Sequence, residues 1–307
     1  MSAPYAKVIV NPMAGGGSVR GQWPRIRRQL HDIGLSFDHE FTSGPGHALE
    51  IARRAIDSGH RYLIAVGGDG TVNEVANGIL SSTHSRSIIL GIVGCGTASS
   101  FARSMGISKD YASACSRLTG QGKALVDVGV VQCWSQGRLR ERFFINVADA
   151  GFGAEVVDAW KHLPNRSSRR VNYALRTVAG LTCVLTHRNK LIKIHAGNMA
   201  EAICGCAVIV ANGRYFAENM LIAPHARVDD GLLDIVVVGD VSKSELLKIW
   251  PTLYDGSHVR HLKIRETKAT ALTIESDEPL LIEADGDIIG ETPASFRVIP
   301  SVLAVVV

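Results

Sequence analysis

The sequence contains no run of about 18 uninterrupted apolar residues, the length a standard membrane span requires, so any meeting with a bilayer is expected at its surface. Its first residues, MSAPYAKVIVNP, lack the charged start and long apolar core of a secretory signal. Six cysteines (Cys95, Cys115, Cys133, Cys183, Cys204, Cys206) form no C-x-x-C pair and lie mostly in apolar runs. They read as reduced, buried thiols of a cytoplasmic chain, with Cys204 and Cys206 expected on one face of a strand. The eleven histidines show no H-E-x-x-H spacing, which removes that metal chemistry. Neither G-x-G-x-x-G nor G-x-x-x-x-G-K-[ST] occurs at the glycine loops, which counts against a nicotinamide oxidoreductase and a P-loop ATPase. A net charge of +4 is too mild to imply a nucleic-acid partner, although it favours anionic ligands.

What is present is ample core material: 46% of the residues are hydrophobic against 20% charged, so disorder is excluded as the default. A length of 307 residues makes two domains the prior. Residues 1–128 alternate strand-like runs (KVIVNP, LSFDHEFT, YLIAV, SIILGIVG) with helical patterns, the signature of a doubly wound parallel α/β domain. From about residue 129 the rhythm changes to β-branched strands, among them RFFINVADAGF, AICGCAVIVANG, LLDIVVVGD and PLLIEADG, with helices expected at 154–162, 168–187 and 242–254. That pattern predicts a mainly antiparallel β-sandwich over 129–293, with 294–307 expected to return to the first domain.

The stretch LIAVGGDGTVNEVANGIL, residues 63–80, leaves a strand through a Gly-Asp-Gly corner and enters a helix. Gly67 and Gly68 permit positive φ and close ligand approach. Thr71 and Glu74 have the T-x-x-E spacing of a capping box. The exposed N–H groups of such a helix start bind phosphate. Two further loops, NPMAGGG after the first strand and GCGTASSF after the fourth, open on the same edge of a parallel sheet. Asp69 is needed neither for the turn nor for the cap, and a carboxylate beside a polyphosphate calls for a cation such as Mg²⁺ between them.

Six ordered motifs, VNPMAGGG, VGGDGTVNEVANGI, GTASSFARSMGI, LVDVGVV, IAPHARVDDGLLDIVVV and EADGDIIGETPASFRVIP, resemble the diacylglycerol kinase catalytic-domain family over nearly the whole chain. That family includes bacterial diacylglycerol kinases, YegS-like lipid kinases and sphingosine kinases. The resemblance implies a phosphofructokinase-like nucleotide-binding domain, a β-sandwich carrying the lipid site, and the cofactors ATP and Mg²⁺. It assigns the nucleotide to Asn11, Pro12, Gly15, Thr42, Gly67, Gly68, Asp69, Gly70, Thr71, Asn73, Glu74, Gly96 and Thr97. Of these, Asn11 also reads as a turn former, and Thr42 and Thr97 as helix caps. The resemblance makes Asp285 the general base, with Asp69 and Asp287 beside the chemistry, although Asp-Gly between two apolar runs is by itself a hairpin signal. It implies a structural metal held by the Asp230 carboxylate and the carbonyls of Arg227 and Leu232, with Asp127 linking that region to the active site. Ser99 and Ser100 depart from the usual Asn-Asp, and Gly153 stands where many relatives carry aspartate.

The implied partners are ATP, a lipid and a peripheral membrane surface. Arg166, Arg169, Arg170 and Arg176 cluster around an apolar helix face that suits anionic headgroups and equally suits a solvated face on a packed helix. Uncovered sandwich edges would make a homodimer unsurprising. Two other readings stay open: an NAD kinase, and a catalytically silent lipid- or nucleotide-binding module.

Overall fold

The computed structural model describes residues 5–96, 98–120, 122–164, 169–197, 199–217 and 219–307, and its chain divides into two compact units. Thr97 and Arg166 lie outside the described residues. One unit comprises Met1–Val128, Val228–Asp230 and Pro300–Val307; the other comprises Gly129–Arg227 and Gly231–Ile299.

In the first unit, β1 (Ala6–Val10), β2 (Phe37–Phe41), β3 (Tyr62–Gly67) and β4 (Ile89–Gly94) pair in parallel in the order β2-β1-β3-β4. The chain's last strand closes this row, with Ala304 and Val305 parallel to Ile89 and Leu90. Parallel strands buried on both faces should read as continuous apolar runs, and β3 is buried at every position. Val8, Val10, Ile64 and Val66 pack with α1 (Ser18–Asp32), whose Val19, Trp23, Ile26 and Leu30 recur at helical spacing. α5 (Tyr111–Arg117) joins the same cluster through Cys115. α2 (His47–Asp57) and α3 (Asp69–Leu80) pack on each other, so closely that a Cβ on Gly78 would meet the Ala52 methyl at 2.7 Å. α4 (Ser100–Ser104) follows β4.

The second unit is antiparallel. β5 (Lys123–Ser135) enters it and pairs with β6 (Arg138–Phe144). β7 (Val147–Gly151) lies between β10 (Ala207–Ala211) and β16 (Leu281–Ala284). β10 continues to β13 (Leu233–Val238) and then β14 (Ile264–Ala269). β8 (Lys190–Ala196) joins β9 (Met199–Gly205) to β15 (Ala271–Ser276). β11 (Tyr215–Phe216) and β12 (Met220–Leu221) form a small ribbon. β17 (Asp287–Val306) pairs with β15 and β16, and because Ala294–Arg297 still pair with β15, the return to the first unit starts at Pro300 rather than at 294.

Ala148, Val208, Val210, Ile235, Ile274, Ile282 and Phe296 fill the sandwich. The alternate residues Val147, Ile209, Val236 and Val238 face outward, where α8 (Lys243–Ile249) and α7 (Arg169–Thr186) cover them, next to α6 (Phe152–Lys161).

Two strands expected as continuous are broken. RFFINVADAGF divides at Ile145–Asn146, and AICGCAVIVANG divides at Cys206. The second break corrects the expectation for the cysteine pair: Cys204 is exposed and Cys206 buried, although all six thiols are free.

Candidate functional site

In the first unit Gly68 alone links β3 to α3. Contrary to expectation, neither Gly67 nor Gly68 adopts positive φ; Gly68 sits at φ −94°. Glycine is required here for proximity instead. A Cβ on Gly67 would lie 2.5 Å from Thr71 Oγ1, and one on Gly96 would lie 2.5 Å from the Gly68 Cα. The loops after β3 and β4 therefore touch backbone to backbone. The loop after β1 joins them: Gly15, at φ 60°, would carry a Cβ 2.7 Å from the Cys95 carbonyl. Asn11 fastens that loop to α3, donating from Nδ2 to Thr71 Oγ1 at 2.9 Å and accepting the Met13 N–H at 3.0 Å. Three strand ends and the start of α3 thus converge, as the order of the strands requires.

The details differ from the sequence reading in two places. Thr71 is no cap: α3 begins at Asp69, and Thr71 is buried inside its first turn, holding Asn11. Glu74 reaches away from its own helix and accepts the Gly46 and Ala48 N–H groups at 2.8 and 3.0 Å, supplying the start of α2 with the acceptor that its N-cap glycine lacks. Asp69 does have a capping task, at α4, whose Phe101 N–H it accepts at 3.1 Å. Asn73 is buried and bonded to Asn77 one turn later. Thr42 follows β2 and donates its N–H to the Val10 carbonyl at 2.8 Å. Pro12 is buried in the β1 loop and Gly70 is exposed. Ser99 opens α4 from the left-handed region at φ 52°, a conformation that asparagine tolerates better than serine.

Among the described residues no three His, Cys, Asp or Glu side chains gather as a metal site. Mg²⁺ does not need that many, since it accepts one or two carboxylates with carbonyls, phosphates and waters. Asp230 with neighbouring backbone carbonyls fits that donor chemistry. Asp127 is fully buried; its N–H donates to the Val228 carbonyl and its Oδ1 accepts the Ser301 N–H, both at 2.7 Å, so it ties the 228–230 excursion and the returning terminus to β5. Arg227 and Leu232 flank that excursion and count with the second unit.

In the second unit Asp285 and Gly286, at φ 48° and 88°, form the two-residue turn between β16 and β17. The hairpin reading of EADGD is therefore right about shape. The Asp285 carboxylate accepts the N–H groups of Ile145, Asn146 and Val147 at 2.7, 3.0 and 3.0 Å, which is why the strand breaks there. Asp287 is paired with Lys161 at 3.0 Å and Arg142 at 3.5 Å.

Beneath this turn lie two buried carboxyls that sequence reasoning did not single out. Glu283 and Asp149 stand directly opposite each other on β16 and β7. Burial pushes Asp149 up to about 7, while the Ala154 and Gly153 N–H groups at the start of α6 pull the other way. Burial, then the Asp149 charge, raises Glu283 well above the usual carboxylate range. Asp149 also reaches an apolar cavity of about 90 Å³ lined by Phe152, Val156, Trp160, Ile209, Trp250 and other apolar side chains.

Residues 5–131 match the diacylglycerol kinase catalytic domain, and residues 146–307 match the YegS C-terminal NAD kinase beta sandwich-like domain. The chain belongs to the diacylglycerol kinase family. It is 27% identical to the diacylglycerol kinase of Staphylococcus saprophyticus over 95% of this chain and 91% of that one. With the diacylglycerol kinase of Staphylococcus aureus it shares 28% identity over 95% and 88%. A Bacillus anthracis diacylglycerol kinase crystal structure superposes with a TM-score of 0.73 at 21% identity, covering 99% of this chain and 96% of that one. Yeast NADH kinase complexed with NADH shares the fold at 10% identity and a TM-score of 0.54, covering 99% and 84%.

In this kinase the carboxylate most clearly structural is Glu74. Glu74→Ala is expected to lower the unfolding free energy by about 1–3 kcal/mol, because two helix-start donors lose a charged acceptor. Urea titration would read the loss, and Glu74→Gln should recover part of it. The signal that could have exposed Glu283 in the sequence was a charge inside an apolar strand, at a position whose neighbours Ile282 and Ala284 belong to the sandwich core.

Proposed function

We propose that this kinase transfers the γ-phosphoryl group of ATP, with Mg²⁺, to a hydroxyl of a lipid of the diacylglycerol type. The observation that carries the reading is the convergence of three loops and the α3 start at the carboxyl ends of β1, β3 and β4. Backbone amides at such a helix start, without a Walker lysine, favour a polyphosphate. Mg²⁺, when bound, neutralises charge on the phosphates. Asn11, Thr71 and the glycines shape the cradle, and Asp69 fixes α4 beside it. Asp285 serves as the base for the acceptor hydroxyl, while Asp287 holds Lys161 and Arg142 near the same turn. The apolar cavity of the second unit suits acyl chains. No described helix is long and apolar enough to cross a membrane, and six free thiols support a cytoplasmic setting in which the enzyme meets its lipid at the surface.

Incubation with labelled ATP, Mg²⁺ and a panel of lipids in mixed micelles, with NAD as a parallel acceptor, tests this. Label on lipid supports the proposal; label on NAD, or nucleotide binding without transfer to either, overturns it. As a companion, Gly96→Ala is expected to weaken ATP binding by about tenfold or more in calorimetry, since an overpacking strain of about 1–3 kcal/mol falls on the Gly68 backbone.

A further inference from the structure

Strands β7 and β16 put two carboxyls on one side of the sandwich. Ala148, Ala150, Ile282 and Ala284 face the core, so the alternate residues Asp149 and Glu283 face outward with Val147, towards the covering helices. Asp149 forms part of the wall of the apolar cavity, and Glu283, directly opposite it, is fully buried. Glu283 Oε2 accepts the Gly286 N–H at 2.8 Å, whereas Oε1 is buried with no hydrogen-bond partner among the described residues. The titratable groups that face Asp149 are Glu283 from β16, Glu155 from α6 and the Cys206 thiol from β10. Among the described residues neither carboxyl has a cationic partner.

The fold makes room for this arrangement at Gly153. A Cβ there would lie 2.8 Å from the Asp149 Cγ and Oδ2 and 2.9 Å from Oδ1, so a side chain at 153 and the Asp149 carboxyl claim the same space beside the cavity that both residues line. A carboxyl can reach that space from β7 or from α6, but not from both. Gly153 is outside the left-handed region, so it is the Asp149 carboxyl, and not backbone strain, that excludes a side chain. Glycine therefore stands at the position where many relatives carry aspartate.

What the carboxyl recognises follows from its surroundings. A buried acid with no cation beside it takes up a proton, and a protonated carboxyl donates as well as accepts. Burial pushes Asp149 up to about 7 and Glu283 well above the usual range, in agreement. Asp149 Oδ1 accepts the Ala154 N–H at 2.8 Å, which leaves the carboxyl proton as the donor. Beside an apolar cavity that donor suits a neutral carbonyl oxygen better than an ammonium group. Val147 sets the distance to the base: its N–H donates to the Asp285 carboxylate, and Asp149 lies two residues further along β7, about 7 Å away. A free hydroxyl and an ester carbonyl of one acylglycerol are separated by a comparable span. We propose that Asp149 determines acceptor specificity by donating a hydrogen bond to an ester carbonyl of a neutral acylglycerol whose hydroxyl lies at Asp285. This rests on the lipid-kinase reading and adds the chemical group that the cavity selects.

Tryptophan fluorescence reports occupation of the cavity, because Trp160 and Trp250 line it. The whole chain, without ATP, is titrated with dioctanoylglycerol and with the diether of the same chain length, which has no carbonyls. Wild type is expected to bind the ester at least about fivefold more tightly, the effect of one net hydrogen bond. Asp149→Ala should abolish that preference. Asp149→Asn, whose amide still donates, should keep it, and should keep it at about pH 9, where the wild-type Asp149 has given up its proton. Asp149→Ala/Gly153→Asp should regain it by delivering the carboxyl from α6. Equal affinity for ester and diether, a preference that survives Asp149→Ala, a double variant as indifferent as the single one, or tighter binding of a long-chain amino alcohol than of the ester would each overturn the proposal. A chain that prefers the ester yet transfers no phosphate to it supports the contact and removes the kinase reading instead. Transfer to lipid with no preference for the ester does the reverse.

Discussion

Asp285→Asn is expected to lower turnover per folded molecule by about two to four orders of magnitude, the usual worth of a general base, while leaving ATP affinity within about threefold. A base acts on the transition state of the acceptor hydroxyl, so its removal appears in kcat and not in nucleotide binding. The same side chain is also a structural member of the second unit, accepting three N–H groups at the point where β6 gives way to β7. Asparagine tolerates the left-handed backbone at φ 48°. However, its amide nitrogen would face a backbone donor, which leaves at least one N–H without an acceptor and costs about 1–3 kcal/mol of stability. The two roles separate in measurement. A purely structural aspartate would lower activity only in proportion to the fraction unfolded, whereas a base lowers it in fully folded protein well below the melting temperature. Turnover that stays near wild type in folded Asp285→Asn would remove Asp285 from the chemistry.

That dual role also shows which parts of this fold can be read from the sequence. The parallel first unit was legible because apolar runs, glycine exits and 3.6-residue periodicity alternate locally, and because loops after parallel strands must open on one edge. The meeting of the three loops after β1, β3 and β4 followed from that rule. The reasons for its glycines did not: Gly67 and Gly96 are required by Thr71 and Gly68, neighbours that only packing reveals. The T-x-x-E grammar at Thr71 and Glu74 failed for a related reason, since Glu74 found donors on α2, 26 and 28 residues away. A capping box does occur at Ser242 and Glu245, where nothing competes for it. RFFINVADAGF reads as one strand because the carboxylate that interrupts it arrives from 140 residues further along the chain. The cavity was equally hidden, because residues that line an apolar pocket and residues that fill a core have the same composition.

Glu283→Gln is expected to stabilise the protein, and to do so more as pH rises. Glu283 and Asp149 are fully buried cross-strand neighbours, and like charges directly opposite one another repel. Both carboxyls have folded-state values raised above their unfolded ones, Asp149 to about 7. The folded state therefore binds more protons than the unfolded state above about pH 4, and stability falls as pH climbs from there through the raised values. Each unit of displacement costs about 1.4 kcal/mol once pH exceeds the folded value. Glutamine removes one of the two charges. Its carbonyl can still accept the Gly286 N–H, now bonded to Glu283 Oε2 at 2.8 Å, and its amide can donate towards Asp149 from the position where Oε1 has no hydrogen-bond partner. Urea unfolding at pH 5 and pH 8 should show wild type losing stability over that interval and the variant losing much less. Equal losses in the two proteins would mean that the carboxyl pair does not govern the slope. Because Glu283 braces the turn that carries Asp285, the same variant asks whether a costly buried acid is retained for catalysis. If the charge serves only to hold Gly286, turnover and its pH profile should survive the substitution; if Glu283 tunes the neighbouring aspartate, the alkaline limb of the profile should move while the fold becomes more stable.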